Sequence, residues 1–414
     1  MQDPPHVDDI LDFGTIMLVV SGGLVLAIGV RVLASRLGIP TAGLLLVAAA
    51  LASDLVDRLS TVLSFEDVQR IATLALVVIL FEGGSKIGLR RLRGAAAPIL
   101  ALGIVGTFAT AGLLMVAVHY LLDLSWTASS LIGAALAPTD PAVTFSVLAG
   151  KEVEGRSGTI LEGESGFNDP VGIALMIGMI ELATHDDASG WSVLWEFLRE
   201  MSVGLVVGVA GAAAIAAVIR WAPFPDRTLY PVAVILMVGT IYGAATVARG
   251  SGFLAVFVAG ILVGDIHFEG RRAVRAFNAA LGELGELAAF VALGLTVNLA
   301  FIGDHGLWWR GLVIAVLLGF VVRPLATVPL LSAIDLTWGE RAFVAWSGLK
   351  GAVPIFLASL VVVAQTEYAE EVYGIVFVVV LFSVVVQGSL VPTVANRLGV
   401  PLDDPVPSPA PTAQ

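Results

Sequence analysis

The feature that most constrains this chain is a repeated apolar run, about 20 residues long, separated from the next by a short charged or turn-rich break. Runs of that length can cross the hydrocarbon core of a bilayer as α-helices. A barrel of strands would instead alternate apolar and polar residues. Charged residues make up only 14% of the chain, against about 25% in soluble domains. The sequence therefore predicts an all-α polytopic membrane protein.

The breaks divide the chain into about 13 predicted transmembrane spans. These are residues 12–34, 38–53, 68–87, 95–122, 126–149, 157–183, 192–220, 229–247, 252–265, 279–303, 307–331, 340–363 and 371–395. We expect one membrane domain over residues 1–400 and no soluble regulatory domain in this chain. The proline-rich residues 401–414 have a composition typical of a disordered tail.

Positively charged residues are distributed unequally between the two sides of the membrane. With the N-terminus outside, 15 of the 22 Lys and Arg residues fall in cytoplasmic loops and 5 on the opposite side. Because positive residues concentrate in cytoplasmic loops, the count predicts an N-out, C-in orientation, which needs an odd number of spans. We therefore expect a multi-pass protein of the cell membrane, surrounded by lipid.

Composition argues against several classes of function. The chain has no cysteine, which excludes disulfides and thiolate metal sites. It has no basic face with interleaved aromatic residues, so we expect no nucleic-acid partner. Its five histidines lie in or beside predicted loops, whereas an intramembrane hydrolase would need groups placed to activate serine or water within the membrane. We expect neither an enzyme nor a cofactor.

Two predicted spans are interrupted near mid-membrane. Span 5 contains APTDP, residues 137–141, and span 12 contains GLKGAVP, residues 348–354. The two motifs are seven spans apart, and an odd offset reverses the direction in which the chain crosses, so the two spans would be related by inversion. Paired broken helices in inverted halves indicate the binding site of a secondary transporter. The alternative is that Gly and Pro are simply frequent in membrane helices.

Charged side chains at membrane depth cost at least ~2.5–3.5 kcal/mol on insertion scales, so each one needs a reason. The alternative to a functional role is an ion pair that holds helices together. Acidic residues outnumber basic ones in this set and cluster in neighbouring spans, which favours an ion path. The set is Glu82, Asp140, Glu162, Glu164, Asp169, Arg323 and Lys350.

Span 6 carries a polar face within ILEGESGFNDPVGIAL. Glu164 and Asn168 are one helical turn apart, as are Ser165 and Asp169, so they lie on neighbouring parts of one surface. Carboxylate, hydroxyl and amide oxygens suit a hard monovalent cation, and the carboxylate can accept a proton instead. A zinc site is not expected, because no His or Cys is near.

The prolines of APTDP prevent a continuous helix in span 5 and leave the chain extended there. The freed carbonyl of Thr139 could ligate a cation. The Asp140 carboxylate could neutralise the N-terminus of a facing half-helix. The alternative is a proline kink with Asp140 as a cap.

The later spans bring two positive charges. Lys350 lies between two glycines, and pairing with Glu164 would keep it charged and hold that helix. Arg323 could pair with Glu162, Glu82 or helix-end carbonyls, which is a purely structural role. Glu82, in span 3, is expected near the cytoplasmic mouth, where it either touches the ion path or extends to the interface.

Four ordered motifs, APTDPA, GESGFNDPVGIAL, GSGFLAVFVAGILVGD and GLKGAVPI, resemble the cation:proton antiporters of the NhaP/NHE type. The resemblance runs over residues 12–400. It implies the NhaA-like inverted-repeat fold, in which two unwound helices, here spans 5 and 12, cross. It also implies a homodimer with a six-helix core, here about residues 95–183 and 307–395, and a dimerisation scaffold formed by the remainder.

The resemblance assigns roles to particular residues. Asp169 is similar to the essential carboxylate that binds the ion and the proton, with Ser165 and the Thr139 carbonyl as further cation ligands. Asn168 is expected to organise the unwound crossing, and Asp140 to balance helix ends. Glu164 is similar to a structural glutamate that pairs with a basic residue in the later half of the chain. Glu82 matches an acid near the cytoplasmic funnel.

Two departures from the family pattern concern the later basic residue and the choice of ion. The family usually has Arg where this chain has Lys350, and Lys loses bidentate geometry. The GFNDPxGI motif is similar to archaeal sodium exchangers, whereas LKGAVPI is closer to bacterial potassium-exchanging relatives. The expected function is electroneutral exchange of Na⁺ or K⁺ for protons by competition at Asp169. The alternatives are a cation channel and a sodium-coupled organic-anion symporter.

Overall fold

The computed structural model describes residues 7–37, 40–55, 64–140, 143–144, 148, 152–153, 155–185, 187–221, 226 and 228–403. The helices are α1 (Val7–Leu37), α2 (Thr41–Leu55), α3 (Phe65–Leu100), α4 (Thr107–Leu122), α5 (Trp126–Leu136), α6 (Gly155–Thr184), α7 (Gly190–Trp221), α8 (Leu229–Val247), α9 (Gly252–Gly264), α10 (Arg271–Leu295), α11 (Leu299–Asp304), α12 (Leu307–Leu317), α13 (Arg323–Leu331), α14 (Trp338–Trp346), α15 (Ala352–Val363), α16 (Ala369–Phe382) and α17 (Val391–Leu398).

Among these residues, three segments form π-helix, whose turns are wider than those of an α-helix. They are Ala101–Gly106 between α3 and α4, Leu318–Val322 between α12 and α13, and Ser383–Gly388 after α16. The extended structure described is one antiparallel pair of two-residue strands, β1 (Glu152–Val153) with β2 (Leu402–Asp403). The pairing includes the first residues of the predicted tail, while residues 404–414 lie outside the described part.

Within the described residues, seven helices are long and apolar enough to cross a membrane, and shorter apolar helices accompany them. The predicted all-α membrane architecture is confirmed. The longest stretch, Phe65–Leu122, has 58 residues and would be about 87 Å long if straight, far more than the ~30 Å hydrocarbon core. Gly88 and Ala95 leave the helical conformation within it, which is where two predicted spans meet. The count of 13 spans stays a prediction.

The backbone conformation at residue 88, within that break, requires glycine. Its φ of 66° is costly for a residue with a Cβ. A Cβ there would also lie 2.8 Å from Oδ1 of Asp265. The Oδ2 atom of the same carboxylate accepts a hydrogen bond from the Arg90 N–H at 2.9 Å, so Asp265 holds the chain just after the break.

Helix α9 lies at the centre of the described molecule, and nearly all its residues are buried. It approaches α3 so closely that only glycine fits at two positions. A Cβ on Gly260 would lie 2.4 Å from the Phe81 carbonyl oxygen, and a Cβ on Gly264 would lie 2.4 Å from that of Ser85. Small residues that let helix backbones approach are typical of packing within membranes.

The two interrupted spans are non-helical where their motifs predict. Helix α5 ends at Leu136 and is followed by non-helical residues 137–140, and residues 347–351 separate α14 from α15. The Asp140 N–H donates to the Leu349 carbonyl at 2.8 Å, so the two breaks lie side by side. Pro141 lies outside the described residues.

Candidate functional site

Four buried polar residues of α6 form the centre of the site. The exposed fractions of Glu164, Ser165, Asn168 and Asp169 are between 0% and 6%, as expected if their helical spacing turns them towards the interior. The Oδ1 atom of Asp169 is buried and has no hydrogen-bond partner among the described residues. A buried carboxylate oxygen without a partner is costly, and a bound proton or cation would remove that cost.

Thr139 joins the first break to α6 through three hydrogen bonds. Its carbonyl accepts one from the Ser165 hydroxyl at 2.7 Å. Its N–H donates to Asn168 Oδ1 at 3.3 Å, and its hydroxyl accepts from Asn168 Nδ2 at 2.8 Å. A carbonyl oxygen has two lone pairs, and a hydroxyl keeps lone pairs after donating. The Thr139 carbonyl and Ser165 Oγ therefore retain capacity to contact a cation.

The carboxylate of Asp140, in the first break, lies beside the start of α15. A Cβ on Gly351, the residue that precedes that helix, would lie 1.8 Å from Asp140 Oδ2, so only glycine fits there. Helix N-termini carry a partial positive charge, which a carboxylate at this position counters. Asp140 and Lys350 are both near enough to Asp169 to interact with it electrostatically.

The partner of Glu164 differs from the expected one. Its Oε1 atom forms a buried salt bridge with Arg323, with an N–O distance of 2.5 Å. Lys350 Nζ instead donates to the carbonyls of Ala137 and Pro138, at 3.1 and 2.8 Å. The predicted pairing of Glu164 with Lys350 is therefore wrong in this structure, and so is that of Arg323 with Glu162 or Glu82. The ammonium group reaches the first break, and the guanidinium group reaches α6.

Close packing explains how Arg323 reaches Glu164. Arg323 follows the π-helical segment Leu318–Val322 directly. Its Nε atom lies 2.3 Å from the place where a Cβ would stand on Gly348. Glycine at that position therefore makes room for the guanidinium group beside the second break.

Glu82 is a residue of α3 whose side chain lies beside α10, outside this hydrogen-bonded group. Its carboxylate pairs with Lys86 one turn further along α3, with an N–O distance of 2.6 Å. Its Cγ atom lies 3.9 Å from the place where a Cβ would stand on Gly282 of α10. The structure thus brings together Ser165, Asn168 and Thr139 by hydrogen bonds and leaves Glu82 with a different partner.

Three polar residues near the site were missed in the sequence. Glu286, one turn after Gly282 on α10, interacts electrostatically with Asp140. Ser383 and Gln387 are buried in the last π-helical segment. The available signal was a pair of carboxylates within span 10, Glu283 and Glu286, and two polar residues, Ser383 and Gln387, that follow a long apolar run in span 13.

Comparisons with known proteins show the family of this chain and its fold. The sequence profile of the family described as "Sodium/hydrogen exchanger, transmembrane" matches residues 23–397. The chain belongs to the sodium/hydrogen exchanger family. The resemblance stated from the four motifs is thereby confirmed, as is the expected multi-pass location in the cell membrane.

Several relatives of this chain carry functional names. The K(+)/H(+) antiporter NhaP of Alkalimonas amylolytica is 33% identical over 330 residues, which are 79% of this chain and 57% of that protein. The K(+)/H(+) antiporter NhaP2 of Shewanella sp. (strain MR-4) is 31% identical over 389 residues, 92% of this chain and 67% of the relative. The chain thus spans between half and two thirds of the length of these relatives.

A solved structure has the same fold as this chain. The sodium proton antiporter MjNhaP1 from Methanocaldococcus jannaschii superposes with a TM-score of 0.79 at 21% sequence identity. The match covers 94% of this chain and 99% of that one. It confirms the fold alone.

Proposed function

We propose that this exchanger moves Na⁺ or K⁺ in one direction and H⁺ in the other, by competition for the Asp169 carboxylate. The observation that carries the proposal is the buried Oδ1 of Asp169, which lacks a hydrogen-bond partner among the described residues. Ser165 Oγ, one turn before Asp169, and the Thr139 carbonyl, to which it donates a hydrogen bond, offer two neutral oxygens. Together these three residues supply the oxygen ligands that a hard monovalent cation prefers.

Competition follows from the cost of a buried charge. An ionised carboxylate is expensive inside a membrane, and either a proton or a partly dehydrated cation neutralises it. Only the neutralised site would cross readily between the two faces. Since one carboxylate cannot hold both ligands, each crossing carries one or the other, and exchange results.

Alternating access would come from movement of one part of the molecule against the other. We assign the moving core to residues 95–183 and 307–395, with spans 5 and 12 crossing at their breaks, and the scaffold to the remainder. The N-out, C-in orientation with 13 spans and a homodimer in lipid belong to the same proposal. The side-by-side breaks support it, since inverted broken helices commonly form transporter sites.

Stoichiometry depends on the residue before Asp169. That position is Asn168, whose side-chain amide is hydrogen-bonded to Thr139 through both its oxygen and its nitrogen. With one titrating carboxylate on this turn, one cation exchanges for one proton and no net charge moves, so voltage does no work on the cycle. If Lys350 also released a proton in each cycle, net charge would move.

The transported cation is either K⁺ or Na⁺ in this proposal. Two relatives are named as K(+)/H(+) antiporters, and a third, from Halobacillus dabanensis, as a Na(+)/H(+) antiporter at 28% identity. The oxygen set at Asp169 is compatible with either ion, because both are hard and monovalent.

The test is fluorescence dequenching in inverted vesicles that carry a proton gradient, with K⁺, Na⁺ and Li⁺ added in turn. Parent protein should dissipate the gradient with at least one of these ions, and Asp169→Asn should not. Asp226→Asn, an exposed loop change, serves as the matched control. Normal exchange by Asp169→Asn would overturn the assignment of the site. Currents that scale with voltage in planar bilayers would favour a channel instead.

A further inference from the structure

Two buried polar residues near the site have no role in the proposed exchange. Ser383 and Gln387 have exposed fractions of 2% and 7% and lie in the π-helical segment Ser383–Gly388. Polar groups buried at membrane depth need partners. π-helical turns inside helices are frequent at functional sites, so the partners of these two residues are informative.

Their hydrogen bonds form a continuous chain to the second break. The Ser383 hydroxyl accepts from the Lys350 N–H at 2.9 Å and donates to Gln387 Oε1 at 3.2 Å. Gln387 Nε2 donates to the Trp346 carbonyl at 2.7 Å. Trp346 is the last residue of α14, where carbonyls lack helical partners. The two side chains therefore hold both ends of the non-helical residues 347–351.

Lys350 extends the chain of contacts from the second break to the first. Its backbone N–H is bound by Ser383, and its ammonium group donates to the carbonyls of Ala137 and Pro138. Those carbonyls directly precede Thr139, whose own carbonyl is a candidate cation ligand. A shift of the Lys350 backbone would therefore move the ammonium group relative to the residues that hold the cation.

The other side of the same segment packs against α2 and the residue before it. A Cβ on Gly43 would lie 2.8 Å from Val385 Cγ2, and a Cβ on Gly388 would lie 3.3 Å from Pro40 Cγ. Such close packing leaves the π-helical segment little freedom. It can therefore serve as a fixed support for the second break.

We propose that Ser383 and Gln387 are positioning residues, which hold Lys350 in place and thereby set the geometry of the cation site without touching the cation. This inference rests on the function proposed above. Weaker positioning should loosen the arrangement of ligands and reduce cation affinity, while the rate of the saturated cycle changes little. The positioning role therefore predicts that substitution of Ser383 or Gln387 changes the KM for the cation rather than kcat.

The test compares substitutions of equal shape in the vesicle assay. The Val and Thr side chains introduced by Ser383→Val and Ser383→Thr have the same shape, but only Thr keeps the hydroxyl. Ser383→Val should raise the apparent KM for the transported cation about two- to tenfold, the ratio expected for one net hydrogen bond, and Ser383→Thr should restore it. Gln387→Met, which keeps the length and loses both hydrogen bonds, should raise KM to a similar degree.

Ser389→Ala is the matched control. Ser389 is exposed and directly follows the π-helical segment, and its hydroxyl donates to the Val385 carbonyl, at 2.6 Å, and not to the second break. A purely structural role for Ser383 and Gln387 would lower the yield of monodisperse protein and leave KM unchanged. Equal KM values for Ser383→Val and Ser383→Thr, together with a parental KM for Gln387→Met, would overturn the inference.

Asp169→Asn, run in the same assay, separates the two proposals. If Asp169→Asn is inactive while the Ser383 and Gln387 variants match the parent, the positioning role fails and the exchange mechanism stands. If Asp169→Asn exchanges normally, the proposed site itself fails. Should Ser383→Val not fold, Gln387→Met carries the test.

Discussion

At the scale of single residues, the two buried basic side chains of the site have different kinds of partner. Arg323 faces a carboxylate, Glu164, and Lys350 faces two carbonyls of the first break. A guanidinium group is planar and always charged, which suits a permanent buried ion pair. An ammonium group is a compact donor with three N–H bonds, which suits neighbouring carbonyl oxygens. An Arg at position 350 is therefore not needed to hold Glu164 in this chain.

We expect loss of the Glu164 charge to destabilise the protein strongly. Glu164→Gln leaves Arg323 charged, buried and unpaired, which costs roughly 3–5 kcal/mol when one partner of such a pair is removed. The measurement is thermal unfolding of the detergent-solubilised protein. Glu371→Gln, which removes the half-buried partner of Arg310, is the control and should cost about 0–1 kcal/mol. Similar losses for both variants would contradict a special role for the buried pair.

Competition at Asp169 predicts how cation affinity depends on pH. Since a proton and a cation exclude each other there, the apparent KM for the cation should fall about tenfold per pH unit while the carboxyl is mostly protonated. At higher pH it should become constant, and the maximal rate should stay the same. Initial rates over a matrix of pH and cation concentration measure this. A pH effect on the maximal rate with a constant KM would exclude simple competition.

At the scale of elements, the π-helical segments of the described chain all lie next to the site. A Cβ on Gly103, in the first segment, would lie 2.7 Å from Phe167 Cβ on α6 and 3.3 Å from the Glu164 carbonyl oxygen. The second segment leads directly into Arg323, and the third contains Ser383 and Gln387. A widened turn changes the direction in which the following side chains point. The wide turns thus help to aim the polar groups that surround α6.

Close packing of α3 on α9 predicts a sharp difference between two glycine substitutions. Gly260→Ala would place a Cβ 2.4 Å from a backbone oxygen, which cannot move aside as a side chain can, so we expect a loss of about 1–3 kcal/mol. Gly112→Ala, in α4, meets nothing within 4 Å and should be neutral or stabilising. The melting temperature and folded yield of both variants decide the point. A stable Gly260→Ala variant would show that the two helices can separate without cost.

At the scale of the whole molecule, the predicted orientation can be tested because the chain has no cysteine. We place the exposed Ser189, between α6 and α7, outside the cell, and the exposed Glu269, between α9 and α10, inside. In whole cells, a membrane-impermeant maleimide should therefore label Ser189→Cys and not Glu269→Cys, and labelling in inverted vesicles should be reversed. The opposite pattern would reverse the N-out, C-in assignment.

Local properties of the sequence determined the class of the protein and the centre of its site. Apolar runs predict membrane helices because burial in lipid depends on the composition of each segment. The spacing of Ser165, Asn168 and Asp169 places them on neighbouring parts of one surface, because helical geometry repeats every 3.6 residues. The prolines of APTDP and the glycines and proline of GLKGAVP predict the two breaks, because proline removes a helical hydrogen bond and glycine lowers helix propensity.

Only the tertiary structure decided which charges meet. Arg323 lies 159 residues from Glu164, and Lys350 lies 213 residues from Ala137. Nothing in the local sequence distinguishes these pairings from the reverse. The choice depends on how each helix is rotated and where it crosses its neighbours, which results from many packing contacts along its whole length. The positions of Ser383 and Gln387 beside Lys350 were settled in the same way.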